Sequence, residues 1–559
     1  MKYTNIPLAQ NVVAHCKTYG IRHVVISPGS RNAPLTIGFT HDPYFKCYSI
    51  VDERCAAFFA MGIAQQISEP VVLVCTSGSA LLNYYPAISE AFFSRIPLIV
   101  ISADRPEHLI GIGDGQTIYQ KNVFDNHIFY SANLRSEDGK GAVSFNSQEI
   151  EMAMNESIRC SGPVHMNVPL SEPLYGMTDQ VLIGPIQKKH ELAENHSDDD
   201  QVMRFKELWK ETDRKMVLIG VLKPDSLSPT ILRFLAEDPS VIVFTETTSN
   251  VHNEYFFPSI DKIIAPLDEN AFIELQPRLL ITLGGMIISK KIKRFLRTYQ
   301  PEEHWHIGPF DANDTFFRLT QAVKTDADHF LSAVFKNLGI SKNSDYRTPW
   351  LRLKAERAIR HDMYMREIPY SDLMVFDRLL RYLDKELLLQ LSNSSTIRYA
   401  QLFDWDPLVQ MYCNRGTSGI DGSTSTAIGA ACVNPQKPSL LITGDLSFFY
   451  DSNALWNNYI PKDFKILLIN NEGGGIFRIL PGHKNTDNFD RFFETRHGLT
   501  ARYLCKMYNF KYFEVHNDNQ LDDQLELFFN HSGQPALIEI ITPARTNDGV
   551  LLNYFEFMK

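Results

Sequence analysis

Two polar residues, Asp445 and Asn471, stand 26 positions apart, and each follows a short apolar run, 439–443 and 466–469. This interval fits a strand, a crossover helix and a second strand, so both side chains should reach the carboxyl edge of one parallel sheet, where open α/β sheets bind ligands. A carboxylate and an amide oxygen suit a magnesium ion that completes its shell from a diphosphate. Glycines at 473–475 would let backbone approach that ion. The alternative is a pair of strand-end turns, where Asp, Asn and Gly also cluster.

Four arginines, Arg31, Arg105, Arg398 and Arg415, each follow a predicted strand. In a chain of net charge −10, several guanidinium groups directed at one crevice suit bidentate binding of carboxylates. A single arginine is more often part of a surface ion pair. The joint arrangement therefore predicts a site for anionic substrates.

Glu53 precedes a nearly wholly apolar stretch, 55–64, which predicts a buried helix with a carboxylate at its amino end. Burial disfavours the charged form of a carboxyl group and lets it share a proton with a ligand nitrogen. The alternative is that Asp52 and Glu53 are acids of a first helical turn, stabilised by the helix dipole.

Apolar runs alternate with helical stretches along the whole chain, which predicts parallel sheets with helices on both faces. Polar segments at 188–200 and 341–348 have the composition of solvated linkers. We therefore predict an α/β protein with three doubly wound parallel-sheet domains, at 1–185, 200–340 and 350–559.

Composition excludes several classes of protein. The acidic balance argues against a nucleic-acid surface, and no apolar run has the length of a membrane span. The eight cysteines form no Cys-x-x-Cys pair, which argues against a disulfide framework or a zinc site. We expect a cytoplasmic protein.

The Gly444-Asp445 and Asn470-Asn471 pairs resemble the diphosphate-anchoring motif of the thiamine diphosphate enzyme superfamily. The resemblance implies that Asp445, Asn471 and the Gly473 carbonyl bind Mg²⁺, with Mn²⁺ as the alternative ion. It implies that Glu53 hydrogen-bonds the aminopyrimidine of thiamine diphosphate and that Ile420 wedges between the two rings of the cofactor. Further implied cofactor contacts are Gly444, Leu446, Ser447, Gly474, Ile476 and Phe477.

Other segments narrow the resemblance to the carboligase family of menaquinone biosynthesis; they are 27–34, 102–106, 115–117, 393–398, 414–422 and 470–480. Members decarboxylate 2-oxoglutarate and add the product in conjugate fashion to isochorismate. The resemblance implies catalytic roles for Glu53, Arg31 and Ser30. It also implies substrate contacts from Ser30, Arg31, Arg105, Gln116, Lys290, Ser394, Arg398, Arg415, Ile476, Phe477 and Leu480. Whether Lys290 or Lys291 reaches the substrate is open. The effect of the extra acid Glu472 on the metal site is also open.

Superfamily members complete each site with two subunits, so the resemblance implies a homodimer or homotetramer with active sites at the subunit interface. Two other functions are compatible with the motifs. One is another thiamine diphosphate-dependent decarboxylase or carboligase, similar to acetolactate synthase, which would not be expected to gather the four arginines. The other is a non-catalytic thiamine diphosphate sensor, which would not require Glu53.

Overall fold

Three parallel sheets with covering helices organise the chain, as the alternating pattern predicts. The computed structural model describes residues 2–136, 140–186, 198–340, 344–479, 482 and 486–559. Among the helices of these residues, none is both long enough and apolar enough to cross a membrane.

The first unit contains a six-stranded sheet. The eight strands that the described residues of this unit form are β1 (Tyr3–Thr4), β2 (His23–Ile26), β3 (Lys46–Ser49), β4 (Val71–Cys75), β5 (Leu98–Asp104), β6 (Ser131–Asn133), β7 (Val164–Pro169) and β8 (Met177–Thr178). Its helices are α1 (Pro7–Thr18), α2 (Ala33–Thr40), α3 (Glu53–Ile67), α4 (Ala80–Asn83), α5 (Tyr85–Ser94) and α6 (Lys140–Cys160). The sheet order is β3-β2-β4-β5-β7-β6, and β1 and β8 form a separate antiparallel pair.

The central unit contains a five-stranded parallel sheet. Its strands are β9 (Lys215–Ile219), β10 (Val241–Thr245), β11 (Leu279–Leu283), β12 (Glu303–Gly308) and β13 (Gln321–Lys324). Its helices are α7 (Asp199–Glu211), α8 (Pro229–Glu237), α9 (Ile260–Ile264), α10 (Glu269–Leu275), α11 (Lys290–Thr298) and α12 (Ala327–Phe335). The sheet order is β10-β9-β11-β12-β13.

The third unit contains a second six-stranded sheet. Its helices begin with α13 (Thr348–Met365) and α14 (Asp372–Leu379). The strands are β14 (Leu388–Leu391), β15 (Gln410–Cys413), β16 (Ser439–Gly444), β17 (Phe464–Asn470), β18 (Lys511–Val515) and β19 (Ala536–Ile541). The remaining helices are α15 (Ser395–Ala400), α16 (Ser423–Val433), α17 (Asp445–Tyr450), α18 (Ile476–Ile479), α19 (Asp487–Phe489), α20 (Arg502–Met507), α21 (Asp518–Asn530) and α22 (Asn547–Phe557). The sheet order is β15-β14-β16-β17-β19-β18.

Helices α3 and α16 join the first and third units across a shared apolar core. A Cβ atom at Gly62 would overlap the carbonyl oxygen of Thr426, and one at Gly429 would overlap the carbonyl oxygen of Phe59. The two helices therefore touch backbone to backbone, which only glycine permits at these positions. This crossing packs α3, whose first residue is Glu53, directly against the third unit.

The central unit meets the third unit at the edge strand β15. The Asn250 side chain donates to the Met411 carbonyl at 3.0 Å and accepts the Met411 N–H at 2.8 Å. One amide side chain thus occupies both outward-facing backbone groups of Met411.

The predicted linkers have a mixed outcome. Much of the first, 187–197, and the start of the second, 341–343, lie outside the described residues. The prediction of a solvated segment is wrong for Tyr346 and Arg347, which are buried. The Tyr346 hydroxyl donates to the Leu275 carbonyl, which ties this segment to the central unit. The three domain boundaries stay a prediction.

Candidate active site

The order of the third sheet brings five predicted site residues to one edge. Arg415 follows β15, Ser394 and Arg398 follow β14, Asp445 follows β16 and Asn471 follows β17. These four strands are consecutive neighbours and all run parallel. Their carboxyl ends therefore form one continuous ligand-binding edge.

Asp445 and Asn471 present the oxygen atoms that the sequence predicts for a metal site. Asp445 is buried; its Oδ2 accepts the Gly473 N–H at 2.8 Å and its Oδ1 accepts the Leu446 N–H at 2.7 Å. The Asn471 Nδ2 donates to Asp372 at 2.9 Å. Asn471 Oδ1 is also buried, yet it has no hydrogen-bond partner among the described residues. A buried acceptor without a donor fits an atom that binds a cation.

Gly473 completes the donor set. It has a φ of 147° and a buried backbone, and a Cβ there would clash with the Glu494 carbonyl oxygen. Its carbonyl accepts the Gly475 N–H at 3.0 Å, which leaves a second lone pair. One carboxylate, one amide oxygen and one backbone carbonyl suit a hard cation such as Mg²⁺. No group of three or more His, Cys, Asp or Glu side chains that could hold a metal occurs within the described ranges.

Two titratable residues, His497 and Glu472, adjoin this donor set. The His497 Nε2 lies 3.3 Å from Asp445 Oδ2, and this nearby carboxylate raises the pKa of His497. The Leu499 N–H donates to the His497 Nδ1 at 3.2 Å, so in the neutral ring the proton resides on Nε2. The extra acid Glu472 pairs with Arg496 at 3.3 Å.

The predicted cofactor contacts surround the same strand ends. The Ser447 hydroxyl donates to the Ile420 carbonyl at 2.6 Å, and Ile420 is 38% exposed. The Gly474 N–H donates to the Glu494 carbonyl at 2.6 Å. Gly444, Leu446, Ile476 and Phe477 are half-buried beside them. Leu480 lies outside the described residues.

Arg398 and Arg415 form a half-buried cationic pair. The Arg415 Nη1 donates to Asn393 Oδ1 at 2.6 Å, but the buried Nε groups of both arginines have no acceptor in the described part of the chain. Burial and the neighbouring Arg415 lower the pKa of Arg398, while Asp261 opposes this shift. Unsatisfied buried donors on two adjacent arginines are the chemistry expected of a carboxylate site.

The central unit adds acidic and basic groups to this site. The buried Glu246 accepts the backbone N–H groups of Ile288 and Ser289, each at 2.7 Å. Burial raises the pKa of Glu246 to about 7, against the effect of these donors, of Gln401 and of Arg415. Its carboxylate thereby holds the turn that precedes α11.

The three lysines of α11 at positions 290, 291 and 293 differ in exposure and in the groups near them. Lys290 is exposed at the first residue of the helix. The Lys291 Nζ lies 4.6 Å from the centre of the Phe555 ring. Lys293, which the sequence analysis did not select, is half-buried; burial lowers its pKa, and Glu246 and Arg415 are among the charges acting on it.

The first unit gathers a second set of predicted residues at its own carboxyl edge, beyond β2 and β5. Ser30 is exposed, and the buried Arg31 donates to the Leu170 carbonyl and to Glu172, each at 3.0 Å. The Arg105 Nε donates to the Gly115 carbonyl at 2.8 Å, which places Arg105 beside the loop of Gln116.

Glu53 begins α3, as predicted, and Asp52 caps that helix by accepting the Cys55 N–H at 3.3 Å. The Glu53 Oε2 accepts from the Asn83 side chain at 3.3 Å. Among the described residues of one chain, no hydrogen bond joins Glu53 to Asp445 or Asn471.

Sequence reasoning missed Glu90, Glu246, Asp372 and His497. Glu90 is the one acid in the apolar helix α5 and is 1% exposed, so a lone charge among apolar neighbours was a usable signal. The other three lie near the site through tertiary contacts that no local pattern reveals.

The fold and the site define a thiamine pyrophosphate enzyme. The family profile of the N-terminal thiamine pyrophosphate (TPP) binding domain of these enzymes matches residues 6–130, and that of the C-terminal TPP binding domain matches residues 394–540. The chain is 54% identical to the 2-succinyl-5-enolpyruvyl-6-hydroxy-3-cyclohexene-1-carboxylate synthase of Christiangramia forsetii and 51% identical to that of Flavobacterium psychrophilum, with 100% of each chain covered. The synthase of the same name from Porphyromonas gingivalis is 36% identical over 96% of this chain and 95% of that protein. The chain belongs to this family of synthases.

Proposed function

We propose that this protein decarboxylates 2-oxoglutarate and joins the remaining succinyl unit to isochorismate, forming 2-succinyl-5-enolpyruvyl-6-hydroxy-3-cyclohexene-1-carboxylate for menaquinone biosynthesis. The observation that carries the substrate class is the pair of buried, unsatisfied Nε groups on Arg398 and Arg415. Both proposed substrates are dicarboxylates, and guanidinium groups bind carboxylates in a bidentate manner.

Bound thiamine diphosphate would supply the carbanion-stabilising chemistry that decarboxylation requires. Asp445, Asn471 and Gly473 would bind the Mg²⁺ of its diphosphate, with Mn²⁺ as the alternative ion. Glu53 would hold a proton at the aminopyrimidine nitrogen, and Ile420 would fix the bend of the cofactor. Ile476, Phe477 and Leu480 would exclude water from the reacting carbon.

The acids would be bound from both carboxyl edges. Arg398, Arg415, Ser394 and a lysine of α11 would hold carboxylates at the third unit. Ser30, Arg31, Arg105 and Gln116 would act from the first unit, and Ser30 and Arg31 would assist catalysis.

Two copies of the chain are part of the proposal, as a homodimer or homotetramer. The superfamily resemblance, in which two subunits complete each site, supports a site completed by the Glu53 of a second copy. Exposed apolar side chains on both units, among them Ile112, Tyr119, Tyr450 and Trp456, support a surface that a second copy covers. All eight cysteines are free, which supports a cytoplasmic location.

A turnover assay tests the proposal. The purified protein, with Mg²⁺ and thiamine diphosphate, is given 2-oxoglutarate with and without isochorismate, and carbon dioxide and the adduct are measured. We expect adduct formation to require both acids. Preferential consumption of pyruvate would instead identify an acetolactate synthase-like enzyme, and cofactor binding without turnover would identify a sensor.

A further inference from the structure

Asp372, the first residue of α14, lies directly behind the proposed metal ligand Asn471. We propose that Asp372 is a positioning residue that fixes the Asn471 amide so that its oxygen, and not its nitrogen, faces the metal ion. This inference rests on the metal site of the proposed function.

Asp372 is 2% exposed and is held on three sides. Its Oδ1 accepts the Thr542 hydroxyl at 2.6 Å, and its Oδ2 accepts the Asn471 Nδ2 at 2.9 Å. Its backbone N–H donates to the Asn547 Oδ1 at 2.8 Å, while the Asn547 Nδ2 donates to the Thr542 hydroxyl oxygen at 3.4 Å. Thr542 thus accepts a hydrogen bond from Asn547 and donates its own hydroxyl proton to Asp372 in a second one.

This arrangement leaves Asn471 one orientation. An ionised carboxylate only accepts hydrogen bonds, so the amide must turn its Nδ2 toward Asp372. Its Oδ1 then points away from Asp372, and that atom is the buried acceptor without a partner among the described residues. The flipped amide would set its oxygen against the Asp372 carboxylate and would present an N–H₂ group to a cation. Both contacts are repulsive.

The first test is the affinity for Mg²⁺ itself. The metal-free protein at saturating thiamine diphosphate is titrated with MgCl₂, and binding is followed by calorimetry. All titrations are run at about pH 8, where aspartate side chains are ionised.

The Asp372→Asn variant keeps the size of the side chain. Its new amide satisfies Thr542 with its oxygen and turns its nitrogen toward Asn471, which forces the flip. We expect the Kd for Mg²⁺ to rise about tenfold or more, the usual effect of losing an outer-shell partner of a metal ligand. The matched control is Asp377→Asn on the same helix, where the carboxylate pairs with the exposed Arg381; its Kd should match that of the unmodified protein.

Exchanging the residues at positions 372 and 471 distinguishes a loss of amide orientation from a general disruption of the site. Asn471→Asp alone sets two carboxylates face to face and should also weaken Mg²⁺ binding. In the double variant D372N/N471D, the new amide at position 372 donates to the new carboxylate at 471, whose other oxygen is free to bind the ion. We expect the double variant to bind Mg²⁺ more tightly than either single variant.

Three results would overturn the inference. The first is an Asp372→Asn protein that binds Mg²⁺ as the unmodified protein does, and the second is a double variant no tighter than the single variants. Neither of these two results contradicts the proposed function as long as the unmodified protein still needs Mg²⁺ to bind thiamine diphosphate. If instead the unmodified protein binds the cofactor equally well without a divalent ion, the metal site itself is wrong, and the role of Asp372 falls with it.

Discussion

The carboxylate of Glu90 in the first unit accepts the backbone N–H of Gly416 in the third unit at 2.6 Å. It also accepts the Thr417 N–H at 2.7 Å and the Thr417 hydroxyl at 2.8 Å. Asn393 holds the same loop from within the third unit, by donating to the carbonyls of Asn414 and Gly419. The loop that carries Arg415 and Ile420 is therefore clamped from two units of one chain.

Replacing Glu90 with glutamine should disturb this loop. The new amide nitrogen would face either the Gly416 N–H or the Thr417 donors, and an unpaired buried donor costs about 1–3 kcal/mol. We expect the KM of at least one acid substrate to rise about tenfold. Ser94→Ala removes a different donor to the same carboxylate and should leave both KM values near those of the unmodified protein. A Glu90→Gln enzyme with unchanged KM values would refute this role.

Arg398→Lys and Arg415→Lys should weaken binding of the dicarboxylates. Lysine offers a point charge in place of the planar fork that includes the unsatisfied Nε group. We expect the KM of one substrate to rise about 10- to 100-fold in each variant, and steady-state kinetics with each acid varied in turn will show which arginine binds which acid. Arg381→Lys, at an exposed ion pair on the third unit, is the control and should have no effect. Unchanged KM values in both site variants would remove the arginine pair from the substrate site.

Glu53→Gln should separate cofactor binding from catalysis. Glutamine preserves the length of the side chain but cannot share a proton with the aminopyrimidine, and loss of such proton transfer typically lowers rates about 10²- to 10⁴-fold. We expect thiamine diphosphate affinity measured by calorimetry to change little while 2-oxoglutarate decarboxylation falls by that factor. Asn83→Ala removes the hydrogen bond to Glu53 within the chain and should have a much smaller effect. Normal decarboxylation by the Glu53→Gln protein would rule out the proposed activation.

Glu246 should make stability depend on pH. Burial raises its pKa from the ordinary 4.5 to about 7, so the folded protein holds this proton more tightly than the unfolded chain does. The resulting stabilisation is complete below pH 4.5 and is lost as the pH rises through about 7. Its full size is about 3 kcal/mol. The groups that face this carboxylate are Gln401, Arg415, Lys293 and the amides of the turn before α11.

The measurement is the thermal midpoint of the unmodified protein and of Glu246→Gln between pH 4.5 and 8. The midpoint of the unmodified protein should fall relative to the variant as the pH rises, and the difference should level off above about pH 7. Glu237→Gln replaces an exposed glutamate of the same unit. The difference in thermal midpoint between this variant and the unmodified protein should not change with pH. A constant difference for Glu246→Gln as well would contradict the prediction.

Gly62→Ala should destabilise the contact between α3 and α16. The added methyl group would overlap the Thr426 carbonyl, and overpacking of a core costs about 1–3 kcal/mol or more where backbone must shift. We expect a lower thermal midpoint. Gly549→Ala in α22, where a Cβ meets no atom within 4 Å, should be neutral or slightly stabilising. Equal midpoints for the two variants would show that the helices can separate without cost.

Much of the fold could be predicted because the central strands are buried on both faces and therefore appear as unbroken apolar runs. Edge strands such as β3 and β18 begin with an exposed lysine and are only partly buried, so they lack that pattern. The loops of Asp445 and Asn471 could be located because each follows such a run. Asp372 and Glu246 could not be identified as site residues from the sequence, because each reaches the site from another part of the chain.

The pairing of Asn250 with Met411 has a consequence for the behaviour of the protein in solution. Strand β15 lies at the edge of its sheet, and unpaired backbone groups on an edge strand can template pairing with another chain. By engaging the N–H and the carbonyl of Met411, one side chain of the central unit occupies part of that edge. The central unit thus makes part of the third sheet unavailable for pairing with another chain, in addition to bringing charged groups to the candidate active site.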